Sequence, residues 1–282
     1  SRYKRDLSLE KNNANEANVE DIEGVECTYP TDFRYEEIDK IKDILKDYSI
    51  ELSSLDVDVF GDRRFKFGSF SSRDDKIFDE AIKRAKEAID VSKELGCFKV
   101  GIWLGQDGYD YPFETDYEFA WKRLVEGIRE VAEYDKKIEI GVEYKIKEPR
   151  KFCHIGSIGK AIVFTKAVGC ENVGITLDVG HAMMNNENMA ESVFLASKYS
   201  KLVNIHLNDN YRTWDDDLIA ASLHIPEYIE LLFWLRRLEY EEWCCFDIYP
   251  FREDADEALR ESLANVKSLL KIADENYGEI LE

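Results

Sequence analysis

No apolar run in the sequence approaches the roughly 20 residues that a membrane-crossing helix needs, which excludes a transmembrane reading. The amino-terminal stretch is polar and charged, unlike a secretory leader. Basic residues are outnumbered: 38 Lys+Arg stand against 59 Asp+Glu, a formal net charge of −21. A surface of that sign repels a phosphate backbone and removes the main source of affinity for nucleic acid. The six cysteines, Cys27, Cys97, Cys153, Cys170, Cys244 and Cys245, form no CxxC pair. A zinc ribbon therefore fails on spacing, and a disulfide framework is not expected in so long a chain. Buried free thiols in a reducing cytoplasm are the expectation. Only five prolines occur, and no low-complexity stretch suggests a linker. Residues 1–282 thus read as one domain, with a polar segment over 1–20 and a C-terminal helix over 255–282.

What is present is a rhythm. Hydrophobic residues make up 44% of the chain and aromatics 12%, enough for a sizeable core. Short apolar runs predict strands at Ile22–Tyr29, Ile50–Leu55, Phe98–Leu104, Ile138–Tyr144, Val173–Asp178, Leu202–His206 and Trp243–Tyr249. Between them, apolar residues at three- and four-residue steps predict helices at Tyr35–Asp47, Asp75–Leu95, Asp116–Tyr134, Ser157–Ala167, Met189–Tyr199 and Pro226–Leu238, with a last one at Asp254–Ile272. Alternation of this kind predicts an α/β fold, a TIM (β/α)8-like barrel. Seven strand–helix units are counted, so the first unit is either irregular or incomplete.

Four polar side chains end successive predicted strands: Glu143, Asp178, His206 and Asp247. Strand ends of a barrel converge on one rim, and ionised groups there need a charge to meet. Three carboxylates and an imidazole suit a hard divalent cation such as manganese or magnesium. His181, three residues after Asp178, and Asp215 and Asp217 in the loop after His206 supply a second set, with Asp178 as the bridge. Taken alone, a strand-end acid is more often a helix cap or a solvated loop residue, and the Asp215–Asp217 run reads as an N-cap cluster. The joint pattern carries the argument. Lys145 lies two residues beyond Glu143 and so points to the same side of the strand; its bland alternative is a surface loop lysine. Trp103 ends a strand and either walls a sugar pocket or fills the barrel mouth. The loop after it, with Gly105, Asp107 and Gly108, is tight and polar, as a binding loop would be. His154 and His224 show no partner pattern and read as structural.

These residues resemble the xylose-isomerase-like superfamily of TIM barrels, most closely its L-rhamnose isomerases. The resemblance rests on Glu143-Tyr-Lys145 with Glu148-Pro149, Leu177-Asp178-Val-Gly-His181, His206-Leu-Asn-Asp209, Asp215-Asp-Asp217-Leu218, Trp103-Leu-Gly-Gln-Asp-Gly and Lys66-Phe-Gly-Ser69. It implies a first metal on Glu143, Asp178, His206 and Asp247, and a second on His181, Asp215, Asp217 and Asp178. It also implies aldose–ketose interconversion by a hydrogen shift between C1 and C2, with Lys145, Asp247 and Asp217 catalytic and Trp103, Lys145 and His181 touching the sugar. The implied cofactors are two divalent metal ions, Mn2+ first and Mg2+, Co2+ or Zn2+ as alternatives. The implied partners are a small-molecule sugar and further copies of the chain, as a dimer or tetramer. Relatives open the sugar ring with a histidine on an early strand, and this sequence has none before His154. Two alternatives share the fold: a ketose 3-epimerase, which needs a pair of glutamates about its substrate, and a non-catalytic sugar-binding relative. An apurinic endonuclease is disfavoured by the charge and by the four histidines.

Overall fold

The computed structural model describes residues 22–280; the polar segment expected at 1–20 lies outside these residues. The strands are β1 (Gly24–Tyr29), β2 (Glu51–Val57), β3 (Lys99–Trp103), β4 (Gly108–Tyr109), β5 (Glu139–Glu143), β6 (Phe152–Cys153), β7 (Val173–Asp178), β8 (Leu202–Leu207) and β9 (Cys244–Phe246). Helices are α1 (Ile38–Tyr48), α2 (Asp75–Glu94), α3 (Tyr117–Tyr134), α4 (Ile158–Val168), α5 (Val179–Met184), α6 (Met189–Tyr199), α7 (Ile225–Arg237), α8 (Ala255–Glu275) and α9 (Tyr277–Ile280). Seven of the strands make one sheet in the order β1-β2-β3-β5-β7-β8-β9, and β4 pairs antiparallel with β6. The β1–β2, β2–β3, β3–β5, β5–β7 and β8–β9 pairings are all parallel. All seven strands expected from the sequence are present.

The elements form where local chemistry directs them. In α2, Asp74 caps the first turn by accepting from the Lys76 amide, and Phe78, Ala81, Ile82, Ala85, Ala88 and Ile89 are buried along one stripe. Asp116, Ser157, Asn188 and Asp254 cap α3, α4, α6 and α8 in the same way. Helix α4 stops at Gly169, whose φ of 72° is open to glycine at little cost. Strand β7, Val-Gly-Ile-Thr-Leu-Asp, is buried at every position, as expected of a parallel strand covered on both faces.

Three features depart from the expectations. The start of the first helix is a 3-10 turn, Tyr35–Glu37, before α1 begins. The last strand is only Cys244–Phe246, and Cys244 is exposed, so the expectation of buried thiols fails there. Helix α5 and the β4–β6 pair are too short to leave a periodic signal in sequence.

The chain forms two compact units, one of Glu23–Thr176 and one that includes Leu177–Glu282. The core of the first draws Leu55, Val57, Val100, Ile102, Ile140 and Val142 from its strands, all fully buried. In the second, Leu177, Ile205 and the α7 residues Tyr228, Leu231 and Phe233 are buried.

Candidate metal centre

Asp178 is the pivot of the unit that includes Leu177–Glu282. It ends β7 and caps α5: its Oδ1 accepts from the His181 amide at 2.8 Å. Its Oδ2 accepts from Asn208 Nδ2 at 2.9 Å. One short turn therefore places the Asp178 carboxylate and the His181 imidazole side by side, both buried. Gly180, between them, admits this packing, since a Cβ there would stand 2.2 Å from Asn208 Oδ1. The cap role expected of a strand-end acid thus holds for Asp178, and it leaves the carboxylate beside the other candidate ligands.

Strand β8 supplies the next ligand candidate. Alternation sends Asn204, His206 and Asn208 along one face, and all are buried. The Asn204 amide lies 3.3 Å from His206 Nε2, which leaves Nδ1 toward Asp247, 3.7 Å from Oδ2. Asp247 follows β9 directly, and the pairing of His206 with Cys245 sets it at the same strand end. It is half exposed, at 53% of its side chain.

The loop after β8 returns on itself. Asp209 and Leu218 exchange two backbone hydrogen bonds, 3.1 and 2.9 Å, closing the excursion that carries Asp215 and Asp217. Among the described residues no helix starts at these acids, and α7 begins at Ile225. His181 Nε2 lies 3.2 Å from Asp215 Oδ2. His224, read as partnerless, is tied by Nδ1 to Asp209 Oδ1 at 2.6 Å, while Arg212 Nε donates to its Nε2 at 3.2 Å. Tyr228 Oη donates to the Asn208 carbonyl. These contacts fix the loop.

Two sets of ligand atoms result. Those of Asp178, His206 and Asp247 lie within 4.8 Å of one another, and so do those of Asp178, His181 and Asp215. Asp178 belongs to both. Asp217 is in neither set: its backbone is left-handed, φ 47°, and its carbonyl accepts from the Tyr249 amide at 2.8 Å. Burial, reinforced by the charges of Asp215, Asp247 and Asp178, pushes the Asp217 carboxyl up to about 9. So much negative charge in so little volume fits a cation between the groups. Carboxylates and imidazoles without thiolates suit Mn2+, Mg2+, Co2+ or Zn2+.

The other unit carries Glu143, Lys145 and Trp103. Glu143 ends β5 and is buried, in register with Trp103 of β3 on one side and Thr176 of β7 on the other. Lys145 is buried too, so the surface-lysine alternative is overturned; its Nζ lies 3.4 Å from Glu148 Oε2 and 5.2 Å from the Trp103 ring centre. Trp103 meets Phe60 edge-on, with ring centres 4.5 Å apart. A Cβ at Gly105 would lie 2.5 Å from its indole, so glycine lets the ring fold over its own loop. Asp107, in the loop after β3, is turned into the protein. It is buried and accepts from Ser69 N at 2.9 Å, Ser71 N at 2.6 Å and the Ser71 hydroxyl at 2.7 Å, buckling two loops together. His154 is buried, and desolvation, helped by Lys160 and Arg150, lowers it to about 4. Asn204 and Asn208 escaped the sequence reading; their same-face spacing about His206 is the signal that could have found them.

Among the described residues, no helix is long and apolar enough to cross a membrane. The family described as "Xylose isomerase-like TIM barrel" matches residues 13–269. The xylose isomerase of Thermus thermophilus is 24% identical over 248 residues, 86% of this chain and 64% of that protein. That of Bacillus spizizenii is 26% identical over 191 residues, 65% of this chain but 43% of its own length. The chain thus spans less than two thirds of either relative. A solved structure of L-ribulose 3-epimerase superposes with a TM-score of 0.79 at 16% identity, covering 96% of this chain and 92% of the other. That likeness establishes the fold.

Proposed function

Because the chain belongs to the xylose isomerase-like TIM barrel family, we propose that it is a metal-dependent sugar isomerase that interconverts an aldose and its ketose. One observation carries the reading: two sets of ligand atoms, each within 4.8 Å, share the buried carboxylate of Asp178. Glu143 is assigned to the first set as its fourth ligand. Its place at the end of β5, as Asp178 ends β7, supports this. Asp217 is assigned to the rim of the second.

Two divalent ions, Mn2+ first, would polarise neighbouring oxygens of an open-chain sugar. The remaining work falls to side chains. Lys145 directs a buried ammonium group at the carbonyl oxygen, where charge develops as hydrogen moves between C1 and C2. Trp103 offers an apolar face to the sugar's C–H groups and keeps water from Lys145. His181 holds a hydroxyl, and Asp247 and Asp217 carry protons at the edge of the site. A deoxy-aldohexose of the rhamnose kind is the first substrate to try.

Ketose 3-epimerisation is the second reading, favoured by the superposition over nearly the whole chain. The last strand offers Asp247 rather than a second glutamate, and Lys145 follows Glu143; both fit a shift between C1 and C2 better. Rhamnose, xylose, allose and their ketoses, incubated in deuterated water with each of Mn2+, Mg2+, Co2+ and Zn2+ and followed by NMR, decide the matter. Aldose–ketose exchange supports the first reading, and a C3 epimer with deuterium at C3 replaces it with the second. No product from any sugar with any metal contradicts both.

A further inference from the structure

We propose that Asn208 is the positioning residue that orients Asp178 as the ligand common to both metal sets, an inference that rests on the metal-centre reading above. A carboxylate shared between two cations must present one oxygen to each side, and free rotation about its last bond would spoil that. Here the rotation is blocked. Oδ1 is held by the His181 amide at 2.8 Å and Oδ2 by Asn208 Nδ2 at 2.9 Å. Each oxygen keeps a further lone pair for a cation.

The amide of Asn208 is unusual in what it lacks. The residue is fully buried, yet its Oδ1 has no hydrogen-bond partner. Burying an amide oxygen unpaired is unfavourable, and an apolar side chain of similar size would avoid it. Reversing the amide would set oxygen against carboxylate, so the N–H group must face Asp178. The unpaired oxygen rests against the backbone of Gly180, where any Cβ would come to 2.2 Å. The backbone is anchored as well, since Tyr228 Oη donates to the Asn208 carbonyl and Asn210 Nδ2 donates to the Gly180 carbonyl at 2.9 Å. Strand β8 and the first turn of α5 are thus locked about one hydrogen bond to Asp178. Groups that orient metal ligands from outside the coordination sphere commonly tune affinity by about 10- to 100-fold.

The test uses cobalt as the probe. The full chain and its Asn208→Leu, Asn208→Asp and Gly180→Ala variants are titrated with Co2+, followed by calorimetry and visible absorption, with circular dichroism in EDTA to check folding. The wild type should bind two Co2+ per chain. Asn208→Leu and Asn208→Asp should bind about 10- to 100-fold more weakly with altered visible bands, while the folded signal is kept. Gly180→Ala should weaken binding in the same direction through displaced Asn208, and should add little in the Asn208→Leu background. If Asn208→Leu does not fold, Asn208→Asp and Gly180→Ala decide. Wild-type affinity and spectrum in these variants would overturn the inference while leaving the metal centre intact. A wild type that binds no Co2+ would instead overturn the centre, and the inference with it.

Discussion

Lys145 holds its ammonium 3.4 Å from Glu148 Oε2 and 5.2 Å from the centre of the Trp103 ring, and only 7% of its side chain is exposed. A buried ammonium needs such partners, and a carboxylate with an aromatic face supplies them. Lys145→Met should therefore lower kcat by about 100- to 1,000-fold, since stabilisation of developing charge is lost. KM should change little and metal content should not change. Steady-state kinetics with parallel metal analysis checks this; a large drop in bound metal would mean that Lys145 serves the fold of the site instead.

Asp247 follows the last strand and is the most exposed acid of the first set. Asp247→Asn keeps its size and removes its charge. Metal affinity should fall about tenfold or more, and turnover should fall with it, because the remaining ligands of the set are left with one anionic donor fewer. Full metal content together with full activity would remove Asp247 from the centre.

His154 gives a pH prediction. Burial lowers its pKa from 6.5 to about 4, so the folded chain resists protonation that the unfolded chain accepts. The stability tied to this shift is fully present above pH 6.5 and disappears as the pH falls toward 4. In total it amounts to roughly 3 kcal/mol. His154→Phe should flatten the fall in urea midpoint between pH 7 and pH 4.5 relative to wild type. Parallel slopes for the two proteins would contradict the buried, neutral imidazole.

Tyr228 is fully buried and donates its hydroxyl to the Asn208 carbonyl. Tyr228→Phe leaves that acceptor without its donor and should reduce stability by about 1–2 kcal/mol in urea unfolding. An unchanged midpoint would show that the anchor behind Asn208 is dispensable.

Much of the frame was legible because its signals are local. Strand β7 and helix α6 were read to the residue: one is a bounded apolar run, the other a stripe after the Asn188 cap. Asp178 and His206 could be picked out because they end expected strands, and His181 because it follows Asp178 by three residues. Other roles depend on distant parts of the chain. The part Asn208 plays is invisible until its partner 30 positions away is known. Asp107 looks like a binding-loop acid until Ser69 and Ser71, 38 and 36 positions upstream, prove to saturate it. Asp217 illustrates a subtler limit. Its spacing from Asp215 suggests a shared role, yet Asp215 falls in a ligand set and Asp217 does not, and its left-handed backbone is a conformation that sequence seldom signals for aspartate.

The most direct test of the account is the number of Mn2+ ions held per chain, measured by equilibrium dialysis and elemental analysis on the wild type and on Asp178→Ala. Two ions are expected in the wild type, with both lost when the shared carboxylate is removed. A wild type that retains none, or an Asp178→Ala protein that keeps both, would contradict it.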